Sequence, residues 1–231
     1  MHPTAMINAD CFFKAYLKAE HRGYFVVEIG SQIVPNVRGS LKDICPKNAE
    51  YIGVDFASGD GVDVVLTDPY ELPFEDDSVD VCLASSVFEH SEMFWVLFLE
   101  IMRILRSDGL FYLNVPSNGY FHRYPVDCWR FYPDSGNALV NWAKRNHLNP
   151  ALLESYISVQ KGDVWNDFVA VFIKDANHIK THPNRITDTH KEFFNGCVHG
   201  SAGFLNFKDA TEDMLKLRAV GMIASGQMAI R

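Results

Sequence analysis

The sequence predicts an α/β fold: a doubly wound, mostly parallel sheet of about seven strands with helices on both faces. Three observations carry this. Apolar runs of strand length recur at Tyr24–Ile29, Tyr51–Asp55, Val62–Leu66, Val79–Ala84 and Leu110–Val115. These runs are nearly continuous in apolar character instead of alternating, as strands covered on both faces are. Helix-period segments lie between several of them, and strand–helix alternation is the pattern of a parallel sheet.

The first strand runs out through Glu28, Ile29, Gly30, Ser31 and Gln32. A glycine just past a buried strand lets the backbone turn sharply with no Cβ in the way. Pro35 and Gly39 interrupt the next stretch, so the first crossover helix is expected to be short or late. Residues 56–61 alone join the second strand, ending at Asp55, to the third. A parallel crossover takes a dozen or more residues, so the third strand is expected to be short and reached by an extended return. It leads to Asp68-Pro69 and a Leu72-Pro73-Phe74 turn. The fourth strand runs into Ser85-Ser86 and then Glu89-His90.

Phe94, Leu97, Phe98, Ile101, Ile104 and Leu105 recur at helical spacing and predict a helix from Ser91 to Arg106, ended by Asp108-Gly109. After the fifth strand comes a long aromatic connection, Asn114 to Pro133, which reads as a lid on the ligand side of the sheet. A second helix is predicted from Asp134 to Asn146 with Asp134 as its cap. Two more strands follow near Leu152–Val159 and Phe168–Lys174. Residues 176–231 differ in character, carrying four of the nine histidines and one late helix from Asp209 to about Met222. Asp209 and Glu212 stand at capping-box spacing. The expected organisation is one domain over residues 1–175 with a C-terminal appendage, 176–231, that is not an independent domain.

Bulk properties bound the function. A net charge of −8 over 231 residues argues against a nucleic-acid partner held by general electrostatics. Five cysteines, at 11, 45, 82, 128 and 197, form an odd, dispersed set that fits free thiols in a reducing compartment. The longest wholly apolar run, Met93–Leu99, is too short to span a bilayer. No secretory pattern opens the sequence. The expectation is a cytoplasmic protein without a membrane role, with the choice between monomer and homodimer left open.

Asp55, 25 positions after Gly30, ends a strand where a carboxylate can accept hydrogen bonds from both hydroxyls of a ribose. Asp68 and Ser85 fall at the carboxyl ends of neighbouring strands, where open α/β sheets bind ligands. The bland alternatives are a plain strand-end turn at Gly30 and solvated acids at 55 and 68. No G-x-G-x-x-G follows any strand, which disfavours a nicotinamide-dinucleotide enzyme.

The segment from Leu66 to His90, with Glu28, Gly30 and Asp55 upstream, closely resembles the adenine-binding half of class I S-adenosylmethionine (SAM)-dependent methyltransferases. The resemblance runs from about Tyr24 to Lys174 and is most specific from Asp68 to Pro116. It implies a Rossmann-like fold with SAM as cofactor and S-adenosylhomocysteine (SAH) as product. It also implies that Glu28, Gly30 and Ser31 face the methionine part of SAM and that Asp55 takes the ribose. Asp68 would bond the adenine amino group, and Ser85 would line the methyl-transfer mouth. Two positions depart from the family pattern. Gln32 stands where a second glycine is common. Pro69 stands where a backbone N–H often meets adenine, and it has none, leaving the Tyr70 amide or packing alone.

In the lid, Trp129 and Phe131 offer apolar walls while His122, Arg123, Asp127 and Arg130 offer charge. The stretch from Tyr124 to Pro133 resembles methyltransferases of polysaccharide and natural-product pathways. That implies a small polar acceptor, such as a hydroxyl of a sugar or natural-product intermediate. His122 is the first candidate base and Asp127 the second, whereas His90 reads as a local partner at the helix start. His178, His182, His190, Cys197 and His199 match no familiar ligand spacing, so no metal is expected. The rival reading is a catalytically inactive nucleotide-binding or scaffold protein of the same fold.

Overall fold

The computed structural model describes residues 1–18, 23–34 and 39–229. In chain order the elements are α1 (Pro3–Tyr16), β1 (Phe25–Ile29), α2 (Leu41–Ile44), β2 (Glu50–Asp55), β3 (Val64–Val65), β4 (Val79–Ser85) and α3 (Phe94–Ile104). Then come β5 (Leu105–Pro116), α4 (Ser135–Arg145), β6 (Ala151–Ser158), β7 (Asp167–Ile173), α5 (Ile186–Thr189), β8 (Phe193–Val198) and α6 (Glu212–Ala224). They build one sheet of order β3-β2-β1-β4-β5-β7-β6-β8. The first five strands pair in parallel. The β5–β7, β7–β6 and β6–β8 pairs are antiparallel.

The continuous apolar runs have a direct explanation in the core. Along β4, Cys82 and Ala84 belong to one buried cluster and Val81 and Leu83 to the other. Along β5, Phe111 and Leu113 face the α3 side while Leu110 and Tyr112 face the α1 side. Phe98 of α3 lies 5.9 Å from Phe111 and 5.1 Å from Phe172, ring to ring. On the opposite face Phe12 of α1 packs 4.7 Å from Tyr112. Burying both faces leaves no position for a solvated polar residue over residues 81–85 of β4 and 109–116 of β5.

Several boundaries differ from the sequence-based expectation. The Ser91–Arg106 helix is shorter, because Leu105 already pairs with Val79 as the first residue of β5. Asp108-Gly109 therefore lies inside an irregular strand start and does not end the helix. Asp134 precedes α4 but makes no side-chain cap bond, its backbone being helical itself. Thr211, not Asp209, caps α6 by accepting the Met214 amide. The short crossover is real: α2 has four residues, and β3 has two. Pro35 lies outside the described residues. The sheet has eight strands, not about seven, because Phe193–Val198 adds to the β6 edge. Helix α1 was not anticipated; Pro3 starts it where a missing N–H costs nothing.

Glu154 ties three elements together. Fully buried on β6, it accepts from the Tyr16 hydroxyl (2.7 Å), the Ile186 and Thr187 amides (2.6 and 3.0 Å) and the Thr187 hydroxyl (2.9 Å). Glu154→Leu would strand four donors inside the protein. At about 1–3 kcal/mol for a buried group left unsatisfied, a loss of at least ~3 kcal/mol is expected in urea unfolding. A Tyr16→Phe change, which removes one donor, should cost far less.

Strand order reverses between β1 and β4, whose chain partners lie on opposite sides. The carboxyl ends of β1, β2, β4 and β5 consequently open on a crevice, where ligands of such sheets bind.

Candidate active site

That crevice is a cavity of about 820 Å³, within the range of small-molecule sites. Gly30, Asp55, Ser85, Glu89, His90 and His122 line it, with Leu66, Pro69, Tyr70 and Val87 as apolar wall. Gly30 has φ +73°, and a Cβ there would lie 2.3 Å from Val87 Cγ2, so only glycine fits this turn. At the β2 end Asp55 Oδ2 accepts the Gln32 amide (3.1 Å) and Oδ1 the Ala57 amide (3.2 Å). One bond to each oxygen leaves further lone pairs for a ligand. Gln32 also donates to the Ser58 carbonyl and accepts from the Tyr124 hydroxyl at 3.3 Å. The side chain that replaces a glycine thus links the β1 loop to the lid.

Not every anticipated residue reaches the cavity. Glu28 is buried and bonded by the Tyr51 hydroxyl (2.7 Å), and Ser31 carries a buried Oγ without a hydrogen-bond partner; neither is part of the lining. Asp68 accepts the Tyr70 amide at 2.8 Å in a tight turn, while its neighbours Thr67, Pro69 and Tyr70 form the wall. The Tyr70 amide is therefore engaged by Asp68 itself. Ser85 faces inward, 3.1 Å from the thioether of Met1, which lines the cavity together with His2. The sequence reading gave no role to these two residues.

Burial lifts the Glu28 carboxyl to about 7, against the lowering effect of the Tyr51 bond, the Met1 amino group and Lys42; Asp55 acts in the same direction as burial. Between pH 4.5 and 7 the folded protein holds a proton that the unfolded chain has released, so stability falls as pH rises through that window. Glu28→Gln should match the parent near pH 5 and exceed it at pH 8 by up to about 3 kcal/mol. Urea unfolding of the ligand-free protein at the two pH values measures this.

The lid brings its charged residues to the β4 end. Asp127 is gripped by Arg130 (2.5 and 2.9 Å), accepts the His122 amide (2.7 Å) and lies 3.4 Å from His122 Nδ1. The Arg130 bonds hold its carboxyl down at about 2, so Asp127 is an orienting anion and a poor proton acceptor. The His122 ring stands edge-on to His90, centroids 4.9 Å apart, and the same distance from Trp165. His90 Nδ1 meets the Val126 carbonyl at 2.5 Å, and burial pushes its imidazole below the usual value. Far from being only a helix-start partner, His90 belongs to the cavity wall. Ser86, at φ +57°, reverses the chain after β4, and the single 3₁₀ turn Phe88–His90 then directs Glu89 and His90 inward. Glu89 is fully buried, and its carboxyl is lifted to about 8 by that burial.

Residues 32–113 match the family model of a methyltransferase domain. The likeness is to a methyltransferase domain and extends over about a third of the chain. An uncharacterized methyltransferase of Mycobacterium marinum is 41% identical over 69 residues, which is 30% of this chain and 27% of that protein. Another, from Mycobacterium avium, is 51% identical over 43 residues, 19% of this chain and 17% of that protein. The chain thus spans about a quarter or less of the length of these curated relatives. Among solved structures, the 1,6-didemethyltoxoflavin-N1-methyltransferase of Burkholderia thailandensis, with 1,6-didemethyltoxoflavin and SAH bound, superposes with a TM-score of 0.55. It is 16% identical and covers 74% of this chain and 78% of its own. The [4+2]-cyclase SpnF superposes at 0.52, with 12% identity over 74% of this chain and 81% of its own. At these identities the likeness is one of fold, and the two neighbours, one a methyltransferase and one a cyclase, share it with different chemistries. Among the described residues no helix is long and apolar enough to cross a membrane.

Proposed function

We propose that the chain is a SAM-dependent methyltransferase acting on a small polar acceptor, a hydroxyl of a sugar or natural-product intermediate. One observation carries the reading: a single cavity joins Gly30 and Asp55 at one end to the lid histidine His122 at the other. The residues present suit the cofactor. Asp55 offers unused lone pairs at a strand end, Leu66, Pro69 and Tyr70 form an apolar wall for a purine, and the volume admits a nucleoside beside a small acceptor. Since the Tyr70 amide is engaged by Asp68 and Asp68 is not part of the cavity lining, the purine would be held more by packing than by hydrogen bonds.

When bound, SAM supplies an activated methyl group on a sulfonium. The chain's task is to align the acceptor and exclude water, and good alignment alone is worth several orders of magnitude. Tyr124, Val126 and Trp165 wall the acceptor end. His122, oriented by Asp127, is the candidate base for a hydroxyl proton. Calorimetry with SAH, followed by methyl-donor consumption against a panel of sugars and phenolic alcohols, tests the reading. No SAH binding would refute the cofactor assignment. SAH binding without turnover on any hydroxyl acceptor would favour the scaffold reading.

A further inference from the structure

Glu89 has an unusual environment. Its side chain is 1% exposed, and neither carboxylate oxygen makes a hydrogen bond. Two imidazoles stand beside it. One donor atom each from Glu89, His90 and His122 lies within 4.8 Å of the other two, and His90 Nε2 is 3.8 Å from Glu89 Oε1. Among the described residues these are the three whose metal-binding atoms converge.

The hydrogen bonds around the rings decide which nitrogens are free. His90 Nδ1 faces the Val126 carbonyl, and His122 Nδ1 faces the Tyr120 carbonyl at 3.2 Å with Asp127 Oδ2 at 3.4 Å. Carbonyl oxygens only accept, so in each neutral ring Nδ1 carries the hydrogen and Nε2 keeps its lone pair. Backbone carbonyls and carboxylates behind Nδ1 are the usual support of metal-bound histidines. Two imidazole nitrogens and one carboxylate oxygen form a donor set for divalent first-row transition ions, and catalytic zinc commonly has three such ligands with a position open. Tetrahedral bonds of about 2.1 Å set donors ~3.4 Å apart, so side-chain rotations that close the donor separations by up to about 1.4 Å complete the site.

We propose that Glu89, His90 and His122 bind a divalent transition ion of the zinc class in the cavity wall, with coordination positions open toward the cavity. This departs from the sequence expectation of no metal, which weighed only the later histidines. The ion gives the orphaned Glu89 carboxylate the partner it lacks. Only the occupant of the open position, an oxygen of the acceptor, rests on the methyltransferase reading; ion binding does not. With the ion in place the His122 Nε2 lone pair is engaged, so it cannot accept a proton in the same state.

Calorimetric titration of chelator-stripped protein with Zn²⁺, and visible absorption with Co²⁺, test the site. One equivalent of Zn²⁺ should bind, with affinity at least tenfold weaker in Glu89→Gln and in His122→Asn. The Co²⁺ spectrum should lack sulfur charge-transfer bands, since no ligand is a thiolate. Circular dichroism of both variants verifies folding, and the lid substitution, being partly exposed, serves if the buried one unfolds. No stoichiometric Zn²⁺ binding, undiminished binding in both variants, or thiolate bands from the five cysteines would overturn the proposal. Wild-type SAH calorimetry is scored separately: SAH bound without Zn²⁺ removes the ion alone, and Zn²⁺ bound without SAH removes the cofactor reading alone.

Discussion

Asp55→Ala is expected to weaken SAH binding by about two to four orders of magnitude while leaving the sheet intact. The carboxylate stands at the end of β2 with one amide on each oxygen, so a ribose can add two charge-assisted bonds. Such bonds contribute about 1.5–3 kcal/mol each, and both go at once. The substitution also frees the Gln32 and Ala57 amides, which loosens the loop that shapes the cofactor end. Calorimetry against SAH measures the effect, and thermal unfolding of the ligand-free variant separates it from a general loss of stability. A change below about fivefold would mean that Asp55 only ties its loop to the sheet.

His122→Ala should lower kcat by about 10²–10⁴ on metal-free protein once an acceptor is identified, with SAH affinity nearly unchanged. The ring belongs to the lid and lines the cavity, and its Nε2 is the lone-pair nitrogen left over from the Asp127 and Tyr120 contacts. Asp127→Asn should give a smaller loss, because the group it orients survives. Equal loss in the two variants would indicate that the lid's shape matters and the imidazole does not. Retention of full turnover in His122→Ala would remove the base assignment.

Strands buried on both faces were readable in the sequence because burial leaves a mark in every residue: β1, β4 and β5 are apolar almost throughout. Helix α1 left a weaker mark. Thr4 and Asn8 are buried among Ala5, Ala9, Phe12 and Phe13, so its inner face is not uniformly apolar. Asn8 is satisfied only by Asn114 and Tyr156, residues far along the chain that no local pattern reveals. Strand β8 carries Asn195-Gly196 in its middle, a turn signature that tertiary pairing with β6 overrides. In the site, Asp55 and Gly30 follow from their places at strand ends. Asp68 does not reach the lining because proline after it favours a tight Asx turn, which turns one carboxylate oxygen onto the Tyr70 amide. The inward placement of Glu89 and His90 depends on one left-handed residue, Ser86, and on lid contacts that lie 36 and 38 residues further along; neither leaves a local signal.

The lid is fastened to the turn after β4 by Cys128 N and Trp129 N to Glu89 O (2.7 and 3.3 Å), Trp129 Nε1 to Ser91 O (2.9 Å) and His90 Nδ1 to Val126 O. The last of these latches is also one of the imidazoles that line the cavity. Any swing wide enough to admit an acceptor must strain or break the contact that sets the His90 tautomer and its distance from His122. Entry and assembly are then a single event, and a molecule too poorly matched to draw the flap back down would meet a disarmed centre. Discrimination between acceptors would in that case be written in the maximal rate more than in apparent affinity.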